Sequence, residues 1–488
     1  MDKIKHNDIK FIFKNIGAIE YAKVPLNDLT MIVGKNSTSK TYLTYIIWGF
    51  LDLIHSAVFN PKQLMNKIMF KSDGTLKQDI DLDLVINNIP NIINDYVKIY
   101  KKNQVSKVLA IDDPERLKKF DFMVELSKNT KLDHNIKIDD FDINQIKISS
   151  LIKNGKLSFS ILKSSDYVLA ENDNMLIANH VFGIILHKLL IQIFPKPFII
   201  TSERTGVGVF RKEIDGFRSA FAESLARDST AKEFNNLNKN TLDDLVNRAA
   251  NLIARYPQPI SKNISLSRDL FDIKSKTNFA TEAKEYIKNN LTHGEFIFNR
   301  ELNEVFYNQK IDNTTVSLPY YLASSSIKSH LLLDSYINYI AQSGQILIID
   351  EPELNLHPDN LRHMARMLAM LVNNGVKLLF TTHSDYIIKE LNNLIMLDSL
   401  PTDARDYAIK QIKKETKTEY QTEMFLAKDK VTCVIAKQDK TGRVKTETAP
   451  INDFGVDIDI IDREINYIGE TSDILSELVN VGSKLIRE

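Results

Sequence analysis

The sequence is poor in the residues that mark several protein classes. Its 488 residues include one cysteine, Cys433, which excludes an internal disulfide framework and a multi-cysteine zinc site. Lys and Arg total 63, as do Asp and Glu, so no net charge attracts nucleic acid or acidic membranes. The longest apolar stretch, residues 175–200, is interrupted by His187, Pro195 and Pro197, which predicts a buried helix and strand and not a membrane span. Because the first residues also lack an apolar signal segment, we expect a cytoplasmic protein with no membrane partner.

Two apolar runs that end in ionisable residues are the most informative features of the chain. Residues 346–349 are consecutive apolar residues, typical of a buried parallel strand, and Asp350 and Glu351 follow directly. Acids at the C-terminal end of such a strand are where α/β nucleotide enzymes hold Mg²⁺ and a catalytic base. A second apolar run, within residues 376–383, ends in His383. This pattern predicts a nucleotide site at one edge of a parallel sheet.

A phosphate-binding loop is predicted between an apolar strand and an amphipathic helix. The loop sequence Gly-Lys-Asn-Ser-Thr-Ser-Lys-Thr matches G-x-x-x-x-G-K-[ST] except at Ser39, where the pattern has a second glycine. Such a loop requires backbone N–H groups at a helix N-terminus, a lysine for the β- and γ-phosphates and a hydroxyl for Mg²⁺. Lys40 and Thr41 supply the lysine and the hydroxyl. The residues predicted to bind ATP are Gly34, Lys35, Asn36, Ser37, Thr38, Ser39, Lys40 and Thr41.

The order of these motifs predicts an α/β head interrupted by insertions. The loop and the acid strand are far apart in the sequence, since 309 residues separate Thr41 from Asp350. Long segments between them have helical character and no heptad repeat sustained over many turns. The predicted organisation is a head formed by residues 1–55, 131–214 and 316–400, helical insertions at 56–130 and 215–315, and a tail of strands and a helix at 401–488.

With these parts placed, the chain resembles the ABC-type ATPase heads of the RecF, Rad50/SMC and OLD groups, and it is most similar to the AAA15 or AAA21 branch. The motifs that carry this resemblance are the phosphate loop, Leu322-Ala-Ser324-Ser325-Ser326-Ile-Lys328, Asp350-Glu351-Pro-Glu-Leu-Asn-Leu-His357-Pro358 and Thr382-His383-Ser384. The resemblance implies a P-loop NTPase of ABC-ATPase type with an antiparallel β subdomain, inserted helical arms and a small C-terminal α+β segment.

The resemblance also implies a role for each residue of the nucleotide site. Lys40 would bind phosphate, and Thr41 would bind Mg²⁺. Asp350 would hold Mg²⁺ through water, Glu351 would polarise the attacking water, and His383 would contact the γ-phosphate. ATP and Mg²⁺ are therefore the expected ligands.

Three serines resemble the signature motif of ABC heads. In those heads, the serine and the N-terminus of the following helix reach the γ-phosphate bound by the opposite subunit, so Ser324, Ser325 and Ser326 would act in trans. Ser326 stands where a glycine is usual. Together with Ser39, it predicts slow turnover or a role in ATP-dependent assembly.

Two further residues have two interpretations each. Arg204 follows a predicted buried strand and either senses the nucleotide or a partner, or forms a structural ion pair. His357 either caps or packs the loop after the acid strand, or lies at a dimer interface near ATP. The sequence leaves both choices open.

The functional prediction depends on what accompanies the head. No nuclease motif is recognisable, and Asp457-Ile-Asp459 is interpreted as acids at a strand edge. Stand-alone ATPases of this kind resemble the ATPase components of anti-phage systems such as Septu, PARIS and some retrons, which pair with a separate nuclease or toxin. We therefore expect an ATPase that assembles with itself, responds to DNA or a phage protein, and regulates an effector. The alternatives are a DNA-binding ATPase of repair or chromosome maintenance, as in the SMC and RecF proteins, and a nucleotide-bound scaffold without turnover.

Overall fold

The computed structural model describes residues 9–56, 78–127, 141–143, 146–153, 156–162, 183–210, 256–272, 275–312 and 314–457. The strands are β1 (Ile9–Ile16), β2 (Ile19–Leu26), β3 (Leu29–Val33), β4 (Gln78–Asp81), β5 (Asp121–Leu126), β6 (Phe141–Ile143), β7 (Ile146–Lys153), β8 (Lys156–Leu162), β9 (Lys196–Ile200), β10 (Gly294–Asn299), β11 (Glu304–Ile311), β12 (Thr314–Pro319), β13 (Gln345–Asp350), β14 (Lys377–Thr382), β15 (Val431–Gln438), β16 (Val444–Ala449), β17 (Ile451–Asn452) and β18 (Gly455–Val456).

The helices lie between these strands in the sequence, singly or in groups. They are α1 (Lys40–Ser56), α2 (Leu82–Asn87), α3 (Ile89–Asn103), α4 (Val105–Val108), α5 (Arg204–Val209), α6 (Gln258–Asp269), α7 (Thr281–Ile287), α8 (Ser325–Ser335), α9 (Pro358–Asn373), α10 (Asp385–Ser399) and α11 (Thr402–Thr416). Residues 183–193 are also helical and lead into β9.

A mixed sheet in the order β5-β1-β2-β16-β15-β3-β14-β13-β9 forms the centre of the described structure. The strands from β15 to β9 are parallel to one another. The pairs β5–β1, β1–β2 and β15–β16 are antiparallel. The α/β class predicted from the sequence is therefore confirmed, and the parallel half brings the ends of β3, β9, β13 and β14 to one edge.

Both faces of the parallel half are covered, which explains why its strands are apolar without interruption. All six residues of β13 and all five of β3 are buried. Ile346 and Ile348 pack on one face, against α1 and residues 183–193. Leu347 and Ile349 pack on the other face, against α8, α9 and α10. Alternate side chains thus enter two separate cores.

The segment 56–130 is not helical throughout, in contrast to the prediction. It contains α2, α3 and α4, but β5 pairs with β1 in antiparallel register, with Phe122 opposite Phe13. Phe11, Phe50 and Tyr100 surround Phe122. The alternation of apolar residues in β5 is short, so the neighbouring helical pattern obscured it.

The predicted helical arm at 215–315 also contains strands. Strands β10, β11 and β12 form a separate antiparallel sheet. Phe296, Val305 and Tyr307 lie on its buried face and pack with Tyr320. The period-two pattern was present in the sequence, but polar residues in β11 and β12 weakened it. Most of the remaining predicted arm lies outside the described residues.

The C-terminal strands belong to the head and do not form a separate segment. β15 pairs in parallel with β3, and β16 pairs with β15 and β2. Cys433 lies buried in β15. The predicted closing helix and Asp459 lie outside the described residues. Within the described part of the chain, no helix combines the length and hydrophobicity needed to cross a membrane.

Candidate functional site

The phosphate loop lies where β3 ends and α1 begins. The Gly34 N–H donates to the Thr382 carbonyl oxygen over 3.3 Å, which joins the loop to the end of β14. A Cβ atom at position 34 would lie 2.9 Å from the Ala436 carbonyl oxygen, so the close approach of β15 requires glycine here. Ser37 and Ser39 adopt positive φ angles of 64° and 61°. The loop is therefore tightly folded, although its second glycine is replaced.

Ser39 has a structural contact that a glycine could not make. Its Oγ accepts a 3.0 Å hydrogen bond from the Ala18 N–H, in the turn between β1 and β2. The same turn contains Gly17 with a φ of 56°, where a Cβ atom would lie 2.6 Å from the Tyr42 ring. The serine thus ties the phosphate loop to the β1–β2 turn while it adopts a backbone conformation that disfavours a side chain.

Lys40 folds back over its own loop. Its Nζ donates to the carbonyl oxygens of Gly34 and Lys35, each over 2.8 Å. Burial lowers the pKa of Lys40, and the nearby carboxylates of Glu351, Asp350 and Glu353 oppose that effect. A phosphate group would complete the ammonium's contacts, because the carbonyl oxygens carry no full negative charge.

Asp350, at the end of β13, contacts both the loop helix and the neighbouring strand. Thr41 Oγ1 donates to Asp350 Oδ2 over 2.9 Å, and Thr381 Oγ1 donates to Asp350 Oδ1. Burial raises the pKa of Asp350, the two threonine hydrogen bonds lower it, and the carboxylates of Glu351 and Glu203 raise it further. The adjacent Thr41 hydroxyl and Asp350 carboxylate are the hard oxygen ligands that Mg²⁺ prefers, so these residues fit a magnesium ion.

Arg204 holds the chain at the acid pair. Its buried guanidinium donates to the carbonyl oxygens of Thr201, Asp350 and Glu351, over 3.3, 3.0 and 2.7 Å. Glu351 itself has a φ of 50°, and its N–H donates to Thr381 Oγ1. Burial lowers the pKa of Arg204 to about 10, still well above neutrality. The sequence predicted either a sensing role or a structural ion pair for Arg204. Its guanidinium instead donates to main-chain carbonyl oxygens and so stabilises the left-handed conformation of Glu351.

His383 lies between two carboxylates at the end of β14. Its Nδ1 is 3.1 Å from Glu353 Oε1 and 3.7 Å from Glu351 Oε1. Glu353 Oε1 also accepts hydrogen bonds of 2.8 Å from Thr382 Oγ1 and from the His383 N–H. The histidine and the predicted base are therefore neighbours.

A pocket of about 510 Å³ lies between the phosphate loop, Glu351 and His383. Its lining residues are Asn36, Ser37, Thr38, Ser39, Lys40, Thr41, Tyr42, Glu351, Leu354 and His383. Every predicted ATP-binding residue from 36 to 41 is among them, together with the predicted base and histidine. The structure thus brings together side chains that the sequence separates by more than 300 residues, as for Thr41 and Asp350 at 309.

The signature-like serines lie elsewhere. Ser324 is the N-cap of α8, and its Oγ accepts a 3.3 Å hydrogen bond from the Ile327 N–H. Ser324 and Ser325 are exposed. Neither they nor Ser326 line the pocket of their own chain. The Ser326 carbonyl oxygen accepts hydrogen bonds from Ser329 and from His330 Nδ1.

His357 is the N-cap of α9. Its Nδ1 accepts a 3.4 Å hydrogen bond from the Asp359 N–H, and its side chain is 74% exposed. This geometry corresponds to the interpretation of His357 as a helix cap. The exposed ring does not line the pocket of its own chain.

Four residues at the site have no role predicted from the sequence: Glu353, Thr381, Thr382 and Tyr42. Thr381 and Thr382 directly precede His383, and Glu353 follows Glu351 by two residues, so their proximity to the motifs was a visible signal. Tyr42 was hidden within the predicted helix. What the sequence could not give was which of these side chains turn toward the site.

The chain matches one protein family and has distant structural similarity to solved proteins. The profile of the AAA_15 family, described as AAA ATPase domain, matches residues 9–388. No curated protein sequence matches the chain.

Among solved structures, the chain is similar to the SMC head domain from Pyrococcus furiosus with an extended coiled coil, bound to the C-terminal domain of ScpA. The sequence identity is 11% and the TM-score is 0.29, and the match covers 97% of this chain and 99% of that chain. An SMC head bound to the C-terminal winged-helix domain of ScpA is 9% identical with a TM-score of 0.32, over 91% and 98%. The SMC head from Thermotoga maritima is 11% identical with a TM-score of 0.29, over 92% and 99%. Because these TM-scores are below 0.5, this similarity supports no further inference.

Proposed function

The chain belongs to the AAA_15 family of ATPase domains, and from that premise we propose that it binds Mg²⁺–ATP in the pocket beside Lys40 and hydrolyses it there. The observation that carries the proposal is the 2.9 Å hydrogen bond between Thr41 and Asp350. It joins the first turn of the phosphate-loop helix to the end of the acid strand. If the loop were only a polar turn with no ligand, nothing would require Thr41 to contact a carboxylate 309 residues away in the sequence.

The loop residues bind and orient the triphosphate. The loop residues and the N-terminus of α1 would supply N–H donors to the anion, and Lys40 a cation for the β- and γ-phosphates. Thr41 and Asp350 would hold Mg²⁺, which when bound would neutralise charge on the phosphates. Ser37 and Ser39 both line the pocket with positive φ angles.

Glu351 activates the attacking water. Its side chain lines the pocket and is 26% exposed, so solvent reaches the carboxylate. Arg204 and Thr381 fix its backbone in the left-handed conformation that presents the side chain to the pocket. His383, beside it, contacts the γ-phosphate. A positioned carboxylate base of this kind contributes about 10²- to 10⁴-fold to the rate.

The test is Glu351→Gln, which keeps the shape of the side chain and removes its charge. We expect ATP affinity to be retained while phosphate release falls by at least about 100-fold. Phosphate release and fluorescent-nucleotide titration measure the two quantities. Glu415→Gln, an exposed glutamate of α11, is the matched control and should behave as wild type. Wild-type turnover in Glu351→Gln would remove the assignment of the base.

We also propose that ATP drives assembly of two copies and that the assembly regulates a separate effector, a nuclease or a toxin, in anti-phage defence. Exposed Ser324 and Ser325, outside the pocket of their own chain, support a role toward a second copy. The effector rests on the resemblance to ATPase components of Septu, PARIS and retron systems. Tagged Glu351→Gln protein, purified with its native neighbouring genes expressed, should retain a stoichiometric nuclease or toxin. Recovery with DNA alone would favour the SMC- or RecF-like alternative.

A further inference from the structure

The environment of Glu353 is unusual for a structural carboxylate. Its side chain is 5% exposed. One oxygen, Oε1, contacts Thr382 Oγ1, the His383 N–H and His383 Nδ1. The other, Oε2, is buried without a hydrogen-bond partner. A buried acceptor left unsatisfied costs free energy, and such groups in native proteins call for an explanation.

Both side-chain hydrogen bonds of Glu353 lead to the segment that carries His383. Thr382 donates to Oε1, and the Thr382 hydroxyl in turn accepts a 3.0 Å hydrogen bond from the Ser384 N–H. The carboxylate therefore anchors the main chain on both sides of His383, and its Oε1 lies 3.1 Å from the ring nitrogen Nδ1. By contrast, Glu351 is 3.7 Å from the same ring nitrogen, beyond hydrogen-bond distance.

We propose that Glu353 is a positioning residue that holds His383 with its proton on Nδ1, so that Nε2 faces the bound phosphate. A carboxylate that accepts from one ring nitrogen of a histidine selects the tautomer and fixes the ring. His383 lines the pocket and its side chain is 42% exposed, so the ring is accessible to a ligand there. Glu353 is not itself a lining residue, and its side-chain hydrogen bonds join it to the pocket through Thr382 and His383. This inference rests on the proposed function of the same pocket.

A double-mutant cycle in ATP hydrolysis tests the link. Glu353→Gln keeps the volume and removes the charge, and we expect it to lower kcat by about 10- to 100-fold, the range for carboxylates that orient a histidine. ATP affinity should change less than about twofold, since the substitution leaves the phosphate loop intact. In a His383→Ala background, Glu353→Gln should have almost no further effect, because the group through which it acts is absent.

The control is Asp28→Asn at the opposite end of β14. Asp28 pairs with Lys377 over 2.8 Å, so this substitution also removes a carboxylate that anchors the strand. Its effect on kcat should be small and equal in both backgrounds. If Glu353→Gln lowered kcat by the same factor with and without His383, the residue would support the fold only, and the inference would be overturned.

The tautomer of His383 gives a readout that is independent of turnover. Long-range ¹H–¹⁵N spectra of ¹⁵N-histidine-labelled protein, with His383→Gln for assignment, should show the Nδ1–H form in wild type and its loss in Glu353→Leu, which has no side-chain acceptor. An Nε2–H form in wild type would overturn the inference even if the protein hydrolyses ATP. Absence of turnover in a wild-type protein with the Nδ1–H form would overturn the proposed function instead.

Discussion

At the scale of single residues, the site is built from backbone conformations that side chains must then stabilise. Ser37, Ser39, Glu351 and Asn355 all have positive φ angles. Each costs about 1 kcal/mol or more in a residue with a Cβ atom. The hydrogen bonds of Ser39 to the Ala18 N–H and of Arg204 to the Glu351 carbonyl oxygen offset this cost.

Two substitutions of Ser39 separate the effect of its backbone strain on stability from the effect of its hydrogen bond to the Ala18 N–H. Ser39→Ala loses the bond and keeps the strain, so we expect a decrease of about 1 kcal/mol in the free energy of unfolding. Ser39→Gly loses the bond but relieves the strain, which should leave stability within about 0.5 kcal/mol of wild type. Denaturant unfolding of the three proteins measures both differences. A glycine variant less stable than the alanine variant would contradict the assigned strain.

At the scale of elements, α8 carries two buried ionisable residues whose effects on stability oppose each other. Burial lowers the pKa of His330 to about 4 and raises the pKa of Asp334 to about 7. The unfolded chain binds the His330 proton below about pH 6.5, so this residue destabilises the fold as pH falls from 6.5 to 4. Asp334 destabilises it as pH rises from about 4 to 7, since only the unfolded state ionises there.

Single substitutions should separate these two dependences of stability on pH. Relative to wild type, His330→Gln should gain stability as pH falls from 6.5 to 4, by up to about 3 kcal/mol. Asp334→Asn should gain stability as pH rises from 4 to 7, by up to about 4 kcal/mol. Denaturant unfolding at a series of pH values measures both. If the free energy of unfolding of the two variants changed with pH in the same way, the opposing effects of His330 and Asp334 would be contradicted.

The elements also mark the limit of prediction from sequence. β3, β13 and β14 were predictable because burial on both faces requires unbroken apolar runs. β10 and β11 were missed because one face is solvated, and the alternation is diluted by polar residues. The phosphate loop and the acid pair were predictable from local spacing. The contact of Glu353 with His383 was not, because it depends on the register of β13 beside β14.

At the scale of the whole molecule, the exposed serines at the start of α8 predict sites shared between two copies. Lys40→Ala removes the phosphate cation, and Ser325→Arg blocks the opposing surface without altering the N-cap Ser324. Each variant alone should be inactive. Their mixture should recover about a quarter of wild-type turnover, because half of randomly paired dimers contain one intact shared site.

Phosphate release from the mixed proteins, incubated with ATP and Mg²⁺, measures this recovery. A mixture of Lys40→Ala with the Lys40→Ala, Ser325→Arg double variant is the control and should stay inactive, since no intact phosphate loop is present. If the two single variants did not complement each other, or if light scattering showed monomers throughout turnover, the shared site would be refuted.

The position of β15 has a consequence for biosynthesis. The strand that carries the phosphate loop, β3, lies between β14 and β15, and contacts such as Asn27 to Asp429 span 402 residues. During translation, β3 emerges long before either neighbour and exposes unpaired N–H and C=O groups. A nascent chain of this protein must therefore shield an apolar strand edge until residues 431–438 leave the ribosome. Nucleotide binding cannot guide early folding, because the loop closes only against strands that are synthesised late.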